Sequence, residues 1–288
     1  MPLLKDPSGL LDKLLLEPNL LRPGVKPVGQ VEVDWSHPLA RHIKAFVIFQ
    51  PSSGTFIDLV TNTKAVTSSG SPSYSADKYS YDGIDDASEL AIDLSDVGEH
   101  VVVTRFYWDF TNPETLPFEY SPNYNINDGF LVNPSAGAPF SGKFSRGYKT
   151  GGTGSPQAYG FTRPSTGYHN YVFSSGYVYT DSNAWVDAEM QTLDFGTFTH
   201  TQSGTFPNET LYFGARNSSS LFADVDMDYF IVFDGNIGEA IVAAGIDSNP
   251  YQLLKPAGQI ALPIPVAAGG ATILPMISNY NHHNGGTI

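Results

Sequence analysis

Short apolar or alternating runs recur between residues 31 and 256, and glycine, proline, asparagine and aspartate residues separate them. Alternation with a period of two is the pattern of a strand with one buried and one exposed face, and the intervening residues favour turns. The runs are KAFVIF (44–49), FIDLV (56–60), HVVVTRFYWDF (100–110), NYVFSSGYVYT (170–180), AWVDAEM (184–190), TLYFGA (210–215) and VDMDYFIVF (225–233). They predict an all-β domain.

Two segments inside this region depart from the strand pattern. In NIGEAIVAAG (236–245), Asn236 and Glu239 have the spacing of a capping box and Gly245 follows the last apolar residue, which predicts one short helix over about 237–244. The segment 134–160 is rich in glycine, serine and proline, so we expect a long surface loop there.

The segments that flank the strand-rich region are apolar and interrupted by prolines. Residues 1–29 hold one short leucine-rich helical candidate, and residues 257–288 contain no Asp, Glu, Lys or Arg. Prolines exclude a central strand, and a tail without charge lacks the repulsion that keeps disordered segments solvated. The sequence therefore predicts an N-terminal arm (1–29), a body (30–256) and a C-terminal arm (257–288). The arm residues expected to contact other subunits are Leu10, Leu11, Leu14, Leu15, Leu16, Ile260, Leu262, Ile264, Ile273, Leu274 and Ile277.

Charge and cysteine content exclude several classes of partner. The net charge is −14, and the acidic excess lies in the body, which would repel nucleic acid phosphates. The chain has no cysteine, so disulfides and thiolate metal sites are excluded. No segment has the unbroken apolar length of a signal peptide or a membrane span, and we expect no membrane partner.

Several segments, in this order, resemble the LamG-like group of concanavalin A-like jelly rolls. They are YSYDGIDDASEL (79–90), YHNYVFSSGYVYTDSNAWVDA (168–188), LYFGARNSSSLFADVDMDYFIVFDGNIGEAIVAAG (211–245) and NPYQLLKP (249–256). Together with VEVDWSHPLARHIKAFVIF (31–49), they are similar to versions encoded by tailed bacteriophages. The resemblance covers about residues 30–256, with departures at Ala223, Asp226 and Met227. It implies a two-sheet antiparallel jelly-roll sandwich of the concanavalin A-like type, with extended N- and C-terminal arms.

The resemblance and the two arms together imply a non-enzymatic virion structural protein. We expect a capsid decoration or cement protein, made in the host cytoplasm and carried on the capsid surface. Its partners would be the major capsid protein and symmetry-related copies of the chain, as a homo-oligomer. Two alternatives remain open: a head- or tail-fibre module that binds host surface glycans through the sandwich, and a glycoside hydrolase.

The hydrolase alternative depends on three aspartates. Asp224, Asp226 and Asp228 alternate along one predicted strand and so project from one face. The resemblance implies a comparison with the laminarinase branch of this fold, in which two glutamates flank an aspartate. Replacing both glutamates by aspartate withdraws each carboxyl group by about one methylene, and catalysis needs placement within about 0.5 Å. We therefore expect no catalytic residue and no hydrolase site.

Two further sets of residues are candidates for binding. Asp82, Asp85 and Asp86 surround a glycine in DGIDD and could offer hard oxygen ligands to calcium, or could cap a plain Asp-Gly turn. No other cofactor is expected. Four tyrosines in or near the loop-rich middle are expected at the surface, where they could stack on glycans, although tyrosine is also common in all-β cores and protein interfaces. They are Tyr120, Tyr124, Tyr148 and Tyr159.

Overall fold

The computed structural model describes residues 25–27, 30–49, 55–75, 78–109, 115–123, 127–134, 140–151 and 155–257. Within these ranges the chain forms two large antiparallel sheets packed face to face. The seven-stranded sheet has the order β11 (Gln157–Thr162), β10 (Lys143–Lys149), β9 (Gly129–Asn133), β8 (Phe118–Tyr120), β15 (Glu209–Phe213), β6 (Ala87–Ile92), β3 (Val66–Ser69). The eight-stranded sheet has the order β14 (Glu189–Met190), β13 (Asn183–Val186), β12 (Gly167–Ser175), β7 (His100–Trp108), β16 (Asp224–Asp234), β5 (Lys78–Asp82), β4 (Ser73–Ser75), and β2 (Ile43–Ile48) also pairs with β16.

The main core lies between the two sheets and is rich in aromatic rings. Strand β7 shows how alternation builds it, since Val102 and Phe106 point to the opposite sheet and are fully buried. Phe106 stacks on Tyr171 of β12 at 4.5 Å between ring centroids. Burying one such aromatic side chain contributes about 1.5–3 kcal/mol, so the interleaved rings supply much of the stability of the sandwich.

A second apolar cluster covers part of the outer face of the eight-stranded sheet. The alternate residues Val101 and Val103 of β7 belong to it. A lid packs on these valines. It consists of the helix α1 (Gly238–Ala243), a 3-10 turn at Ala40–His42, a second 3-10 turn at Pro250–Leu253, and the short strands β1 (Val31–Val33) and β17 (Leu254–Pro256). A further 3-10 turn lies at Tyr179–Asp181. The lid leaves the other part of this outer face uncovered.

The two ends of the body meet in a small antiparallel ladder. Val31 of β1 is opposite Pro256 of β17, and the N–H of Ala257 donates to the carbonyl of Gln30 at 3.0 Å. An ion pair of 3.3 Å between Lys255 and Glu32 joins the same two strands. The chain therefore enters and leaves the body side by side, at one place.

The predicted fold class is confirmed: the body is an antiparallel β sandwich of jelly-roll type. The prediction of a surface loop over 134–160 is wrong, because this segment contains β10 and β11, whose residues are mostly buried. FIDLV is also not a strand; Ile57 and Asp58 form isolated bridges only, and Asp58 accepts the N–H of Phe46.

The short helix is confirmed, but its predicted cap is wrong. The residue at the N-cap is Ile237, and no side chain caps the helix. Asn236 instead donates its amide to the carbonyl of Asp181 at 2.8 Å. Gly245 does take the left-handed conformation expected after the helix, with φ of 67°. No helix among the described residues has the length and apolarity that a membrane crossing requires.

Candidate functional site

Two rows of side chains cross the uncovered part of the outer face of the eight-stranded sheet. In the first row, Tyr168 of β12 is opposite Tyr107 of β7, which is opposite Asp226 of β16. In the second row, Asn170 is opposite Arg105. These residues share one face because side chains two apart on a strand point the same way. The face thus changes from apolar under the lid to polar and aromatic beyond it.

A bulge in β16 adds a carboxylate to this face. The pairing of β16 with β7 shifts between Met227 and Tyr229, so Asp228 is the extra residue. Its Oδ2 atom accepts a hydrogen bond from Nη1 of Arg105 at 2.7 Å, and its Oδ1 atom lies 2.7 Å from Nζ of Lys26. One carboxylate, only 7% exposed, is therefore shared by two cations, and the three groups together carry a net charge of +1.

Lys26 brings the end of the N-terminal arm onto the body. Its ammonium lies near three oxygen atoms: Oδ1 of Asp228 at 2.7 Å, the carbonyl of Phe49 at 2.8 Å and the carbonyl of Asp228 at 3.2 Å. An ammonium group has three N–H donors, so this set can satisfy all of them. Residues 25–27 consequently lie against the sandwich.

These residues line a groove of about 330 Å³. Its lining residues are Lys26, Arg105, Asn170, Asp228, Tyr229, Ser248 and Tyr251. The hydroxyl of Tyr229 donates to the carbonyl of Asp247 and also lies 3.1 Å from Oδ1 of Asn170, and the hydroxyl of Tyr251 donates to Oδ1 of Asp228 at 3.4 Å. Burial, followed by the charge of Asp228, raises the pKa of Tyr251, so this hydroxyl remains protonated at neutral pH.

Arg105 joins the groove to the aromatic row. Partial burial lowers the pKa of Arg105, but the hydrogen bond and charge of Asp228 outweigh burial and raise it above its usual value. The guanidinium lies 5.0 Å from the ring centroid of Tyr168, a cation–π distance. Tyr168 in turn contacts Tyr107 edge to face at 5.5 Å, and Tyr168 as a residue is 38% exposed. Arg105 thus lies between the groove and the aromatic row.

The three alternating aspartates occupy different environments. Asp226 accepts hydrogen bonds from Nζ of Lys78 and Oγ of Ser80, each at 2.5 Å, and from the hydroxyl of Tyr168 at 3.3 Å. Asp224 is largely exposed. The partial burial of its carboxyl group, followed by the charge of Asp109, nevertheless raises its pKa. Asp226 and Asp228 are therefore both held as ion-paired acceptors. The absence of hydrolase activity stays a prediction.

The structure brings the predicted calcium residues together. One carboxylate oxygen from each of Asp82, Asp85 and Asp86 lies within 4.8 Å of the others. The carboxylate of Asp86 accepts the N–H of Ser71 at 2.7 Å and the N–H of Asp82 at 3.0 Å, and burial raises its pKa. Asp82 accepts the N–H of Ile84 at 2.8 Å across a turn whose glycine, Gly83, has φ of 74°. These are the contacts of a self-capped Asp-Gly turn; calcium binding stays a prediction.

The predicted glycan residues do not form a surface. Tyr120, Tyr148 and Tyr159 are 0%, 1% and 0% exposed, and all three belong to the core between the sheets. Their rings are buried because β8, β10 and β11 are strands, so alternate residues face the opposite sheet. The expectation that these three tyrosines stand at the surface is wrong, and Tyr124 lies outside the described residues.

A buried cation in the core was also missed by sequence reasoning. Arg146 is fully buried; its Nη2 lies 2.7 Å from Nε2 of His100, and its Nη1 donates to the carbonyl of Leu131 at 3.2 Å. The guanidinium lies 4.6 Å from the ring centroid of Phe130. Burial lowers the pKa of Arg146 to about 10. Burial and the charge of Arg146 lower the pKa of His100 well below its usual value, so His100 is a neutral acceptor.

The predicted arm contacts cannot be placed. The five leucines of the N-terminal arm and the six isoleucine and leucine residues of the C-terminal arm lie outside the described residues. Their contacts with other chains stay a prediction.

Comparison with known proteins gives a likeness at the level of structure. No protein-family model matches the chain, and no curated protein sequence matches it. The sialidase of Trypanosoma rangeli aligns with a TM-score of 0.50 and 8% identity over 74% of this chain. The binding domain of botulinum neurotoxin serotype D aligns with a TM-score of 0.46 and 9% identity over 71% of this chain. Domain 4 of a GH43 extracellular arabinanase from Geobacillus stearothermophilus aligns with a TM-score of 0.47 and 11% identity. The alignment covers 70% of this chain and 97% of that domain.

The likeness is one of fold. At such identities a shared sandwich carries no information about activity, because unrelated functions use the same fold. The aligned part amounts to 33% of the sialidase and 52% of the neurotoxin domain, so this chain spans only part of these proteins.

The groove residues had a weak signal in the sequence. In HVVVTRFYW, the apolar outward positions of β7 give way to Arg105 and Tyr107, and in GYHNYVF the outward positions of β12 are Tyr168 and Asn170. A change from valine to polar or aromatic residues at alternate positions marks where a covered face becomes open. Lys26 had no such signal, because its contact with the body spans most of the chain.

Proposed function

We propose that the chain is a non-enzymatic structural protein of a phage virion, a decoration or cement protein attached to the capsid by its two arms. One observation carries the proposal: β1 and β17 pair, so the two apolar arms start from adjacent points of the body. Two arms that start together can engage one site on a shell while the sandwich projects away from it. The phage-like sequence resemblance and the uncharged C-terminal arm support the same role.

Attachment by two arms gains from multivalency. Each arm that binds holds the other near its own site, which raises the effective concentration of the second contact. Repeated capsid sites extend this effect to symmetry-related copies. Moderate affinity in each arm is then sufficient for retention on the particle.

The carboxylates of the sandwich support a role without chemistry. A glycoside hydrolase needs one carboxyl group that donates a proton and a second that acts as nucleophile or base. Asp226 and Asp228 are instead engaged by Lys78, Arg105 and Lys26. We expect the body to act as a stable, displayed module.

A map of the virion that carries this chain tests the proposal. We expect density for the sandwich at repeated positions on the capsid surface, with the β1–β17 ladder facing the shell. Mass spectrometry of purified virions should find the chain in many copies per particle. Absence from virions, or density restricted to the tip of a fibre, would overturn the proposal.

A further inference from the structure

We infer that residues 1–24 of the N-terminal arm lie, in the free chain, across the uncovered outer face of the eight-stranded sheet of the same molecule. The arm would leave this face when it engages a capsid, and that second step rests on the proposed function. The coverage itself does not depend on any capsid.

The described part of the arm leads towards this face. Gln30 lies at the ladder within the lid, where its carbonyl accepts the N–H of Ala257. Earlier in the chain, the ammonium of Lys26 lies 2.7 Å from Asp228 and 2.8 Å from the carbonyl of Phe49, at the border of the uncovered part. Followed back from Gln30 to Lys26, the chain therefore runs from the lid towards the uncovered face.

Lys26 fixes the point at which residues 1–24 join the body. Its side chain is only 13% exposed, and the oxygen atoms around its ammonium can satisfy all three N–H donors. The preceding residue, Val25, is 51% exposed. Residues 1–24 are thus joined to the body at its surface, beside the groove, and Arg105 connects that groove to the aromatic row.

The uncovered face offers apolar surface to the arm. Tyr168 is 38% exposed, and Tyr107, which contacts it edge to face, is half-buried. Residues 1–24 include nine leucines. A leucine that packs on a tyrosine ring removes apolar surface of both residues from water, and this is favourable.

Charge does not oppose this contact. The side chains of residues 1–24 include three bases and three acids, so their charges cancel. On the face, Asp226 is paired with Lys78, and Asp228 is shared by Lys26 and Arg105. An acidic segment would be repelled by the acidic body, whereas this arm is not.

The arm is also long enough to cross the face. Neighbouring strands lie about 4.8 Å apart, so the distance from β16 over β7 to β12 is about 10 Å. One extended residue spans about 3.3 Å, and a helical residue rises about 1.5 Å. Residues 1–24 can therefore cross these strands even where part of the arm is helical.

Hydroxyl-radical footprinting read by mass spectrometry tests the coverage in the free chain. A chain that begins at Val25 is compared with the full chain. Removing residues 1–24 should raise the modification rate of Tyr168 by about threefold, because the ring gains solvent contact when its cover is removed. A full chain in which Leu14, Leu15 and Leu16 are replaced by aspartate should show the same increase, because a charged side chain does not pack on a tyrosine ring.

Tyr74 is the internal control in every sample. It is 51% exposed and stacks on the core residue Tyr79, so it lies on the inner side of the same sheet and its rate should not change. The matched control variant has Ile260, Leu262 and Ile264 of the C-terminal arm replaced by aspartate. This variant should leave the rate of Tyr168 as it is in the full chain.

Melting curves verify that each variant is folded, and the leucine variant replaces the truncated chain if the latter does not fold. An unchanged rate of Tyr168 in the leucine variant would overturn the inference. Protection of Tyr168 that disappears on tenfold dilution would also overturn it, because the arm would then cover a second copy. Only the free chain is measured, so these results are separate from the presence of the chain in virions.

Discussion

The ammonium of Lys26 lies 2.7 Å from Oδ1 of Asp228, a residue 202 positions further along the chain. Asp228 is the bulged residue of the central strand β16, so this contact fixes the beginning of the described chain to the middle of a sheet. Arg105 binds the other oxygen of the same carboxylate. The three charges form one unit, and the groove depends on it.

Replacing Asp228 by alanine should lower the free energy of unfolding by about 2–3 kcal/mol, because the variant leaves Lys26 and Arg105 without their shared carboxylate in a poorly solvated place. Asp228→Asn should cost less, since one acceptor oxygen remains. Urea denaturation followed by fluorescence measures both. Asp96→Ala is the control: it removes an ion pair with Lys44 in which Asp96 is 67% exposed, and surface pairs contribute little. Equal losses in the two alanine variants would contradict the assignment.

Stability should fall as the pH decreases below about 6.5, because of His100. Its pKa is lowered in the folded state, so the unfolded chain binds a proton that the folded chain does not, and the stabilising contribution is lost towards acidic pH. At pH 5.5 the loss attributable to His100 should be about 1.4 kcal/mol relative to pH 8.

The effect of His100 is measured as the difference between the unaltered chain and His100→Gln, in which an amide oxygen can still accept from Arg146. Taking the difference removes the contributions of other groups. Among them, Asp86, Asp224 and Asp247 have raised pKa values and act in the opposite direction as carboxyl groups protonate. Parallel pH profiles for the two proteins would contradict the prediction.

Asp86→Ala should destabilise the fold by about 1–3 kcal/mol, because the N–H groups of Ser71 and Asp82 lose their acceptor. The stability of Asp86→Asn should lie between those of Asp86→Ala and the unaltered chain, because Asn keeps one carbonyl oxygen as an acceptor. Thermal melting in excess chelator, compared with melting in calcium, separates capping from metal binding. We expect the two curves to coincide; a lower melting temperature in chelator would show that the turn holds calcium in the native state.

Removing residues 258–288 should leave the body folded, with an unchanged melting temperature, since Ala257 and the β1–β17 ladder remain. The same truncation should strongly reduce the fraction of the protein that sediments with capsids lacking it. Full retention on capsids would remove the C-terminal arm from the proposed attachment.

Incubation with laminarin, agarose or other polysaccharides should release no reducing ends. Asp226 and Asp228 are ion-paired, so neither is placed to donate a proton to a glycosidic oxygen. Release of reducing ends that was abolished by Asp226→Asn would show that the body is an enzyme.

The sequence predicted the strands whose own residues carry the alternation. VDMDYFIVF (225–233) lies within β16, and the short helix was predicted to within one residue at each end. Strands β10 and β11 escaped prediction because KFSRGYK and QAYGFT mix glycine, serine and arginine with only a few apolar positions. Their burial comes from pairing with each other, from the pairing of β10 with β9, and from the opposite sheet, which no local pattern encodes.

The groove was unpredictable for a related reason. Each contributing residue is ordinary in its own segment, and its role arises from register: Asn170 meets Arg105, and the bulge turns Asp228 towards Lys26. A register shift of one residue would send these side chains to the opposite face. Chemistry that depends on register across distant strands appears only when the strands are placed.

The β1–β17 ladder also determines how the body responds to force. Because both arms leave from the same end of an antiparallel pair, a load that separates them must first break the contact of Lys26 with Asp228; it then opens the hydrogen bonds of the ladder one after another, starting between Gln30 and Ala257. Bonds broken singly resist far less force than bonds sheared together. The ladder should therefore part at low tension while the two large sheets stay intact, so the body remains folded when its attachment points are pulled apart.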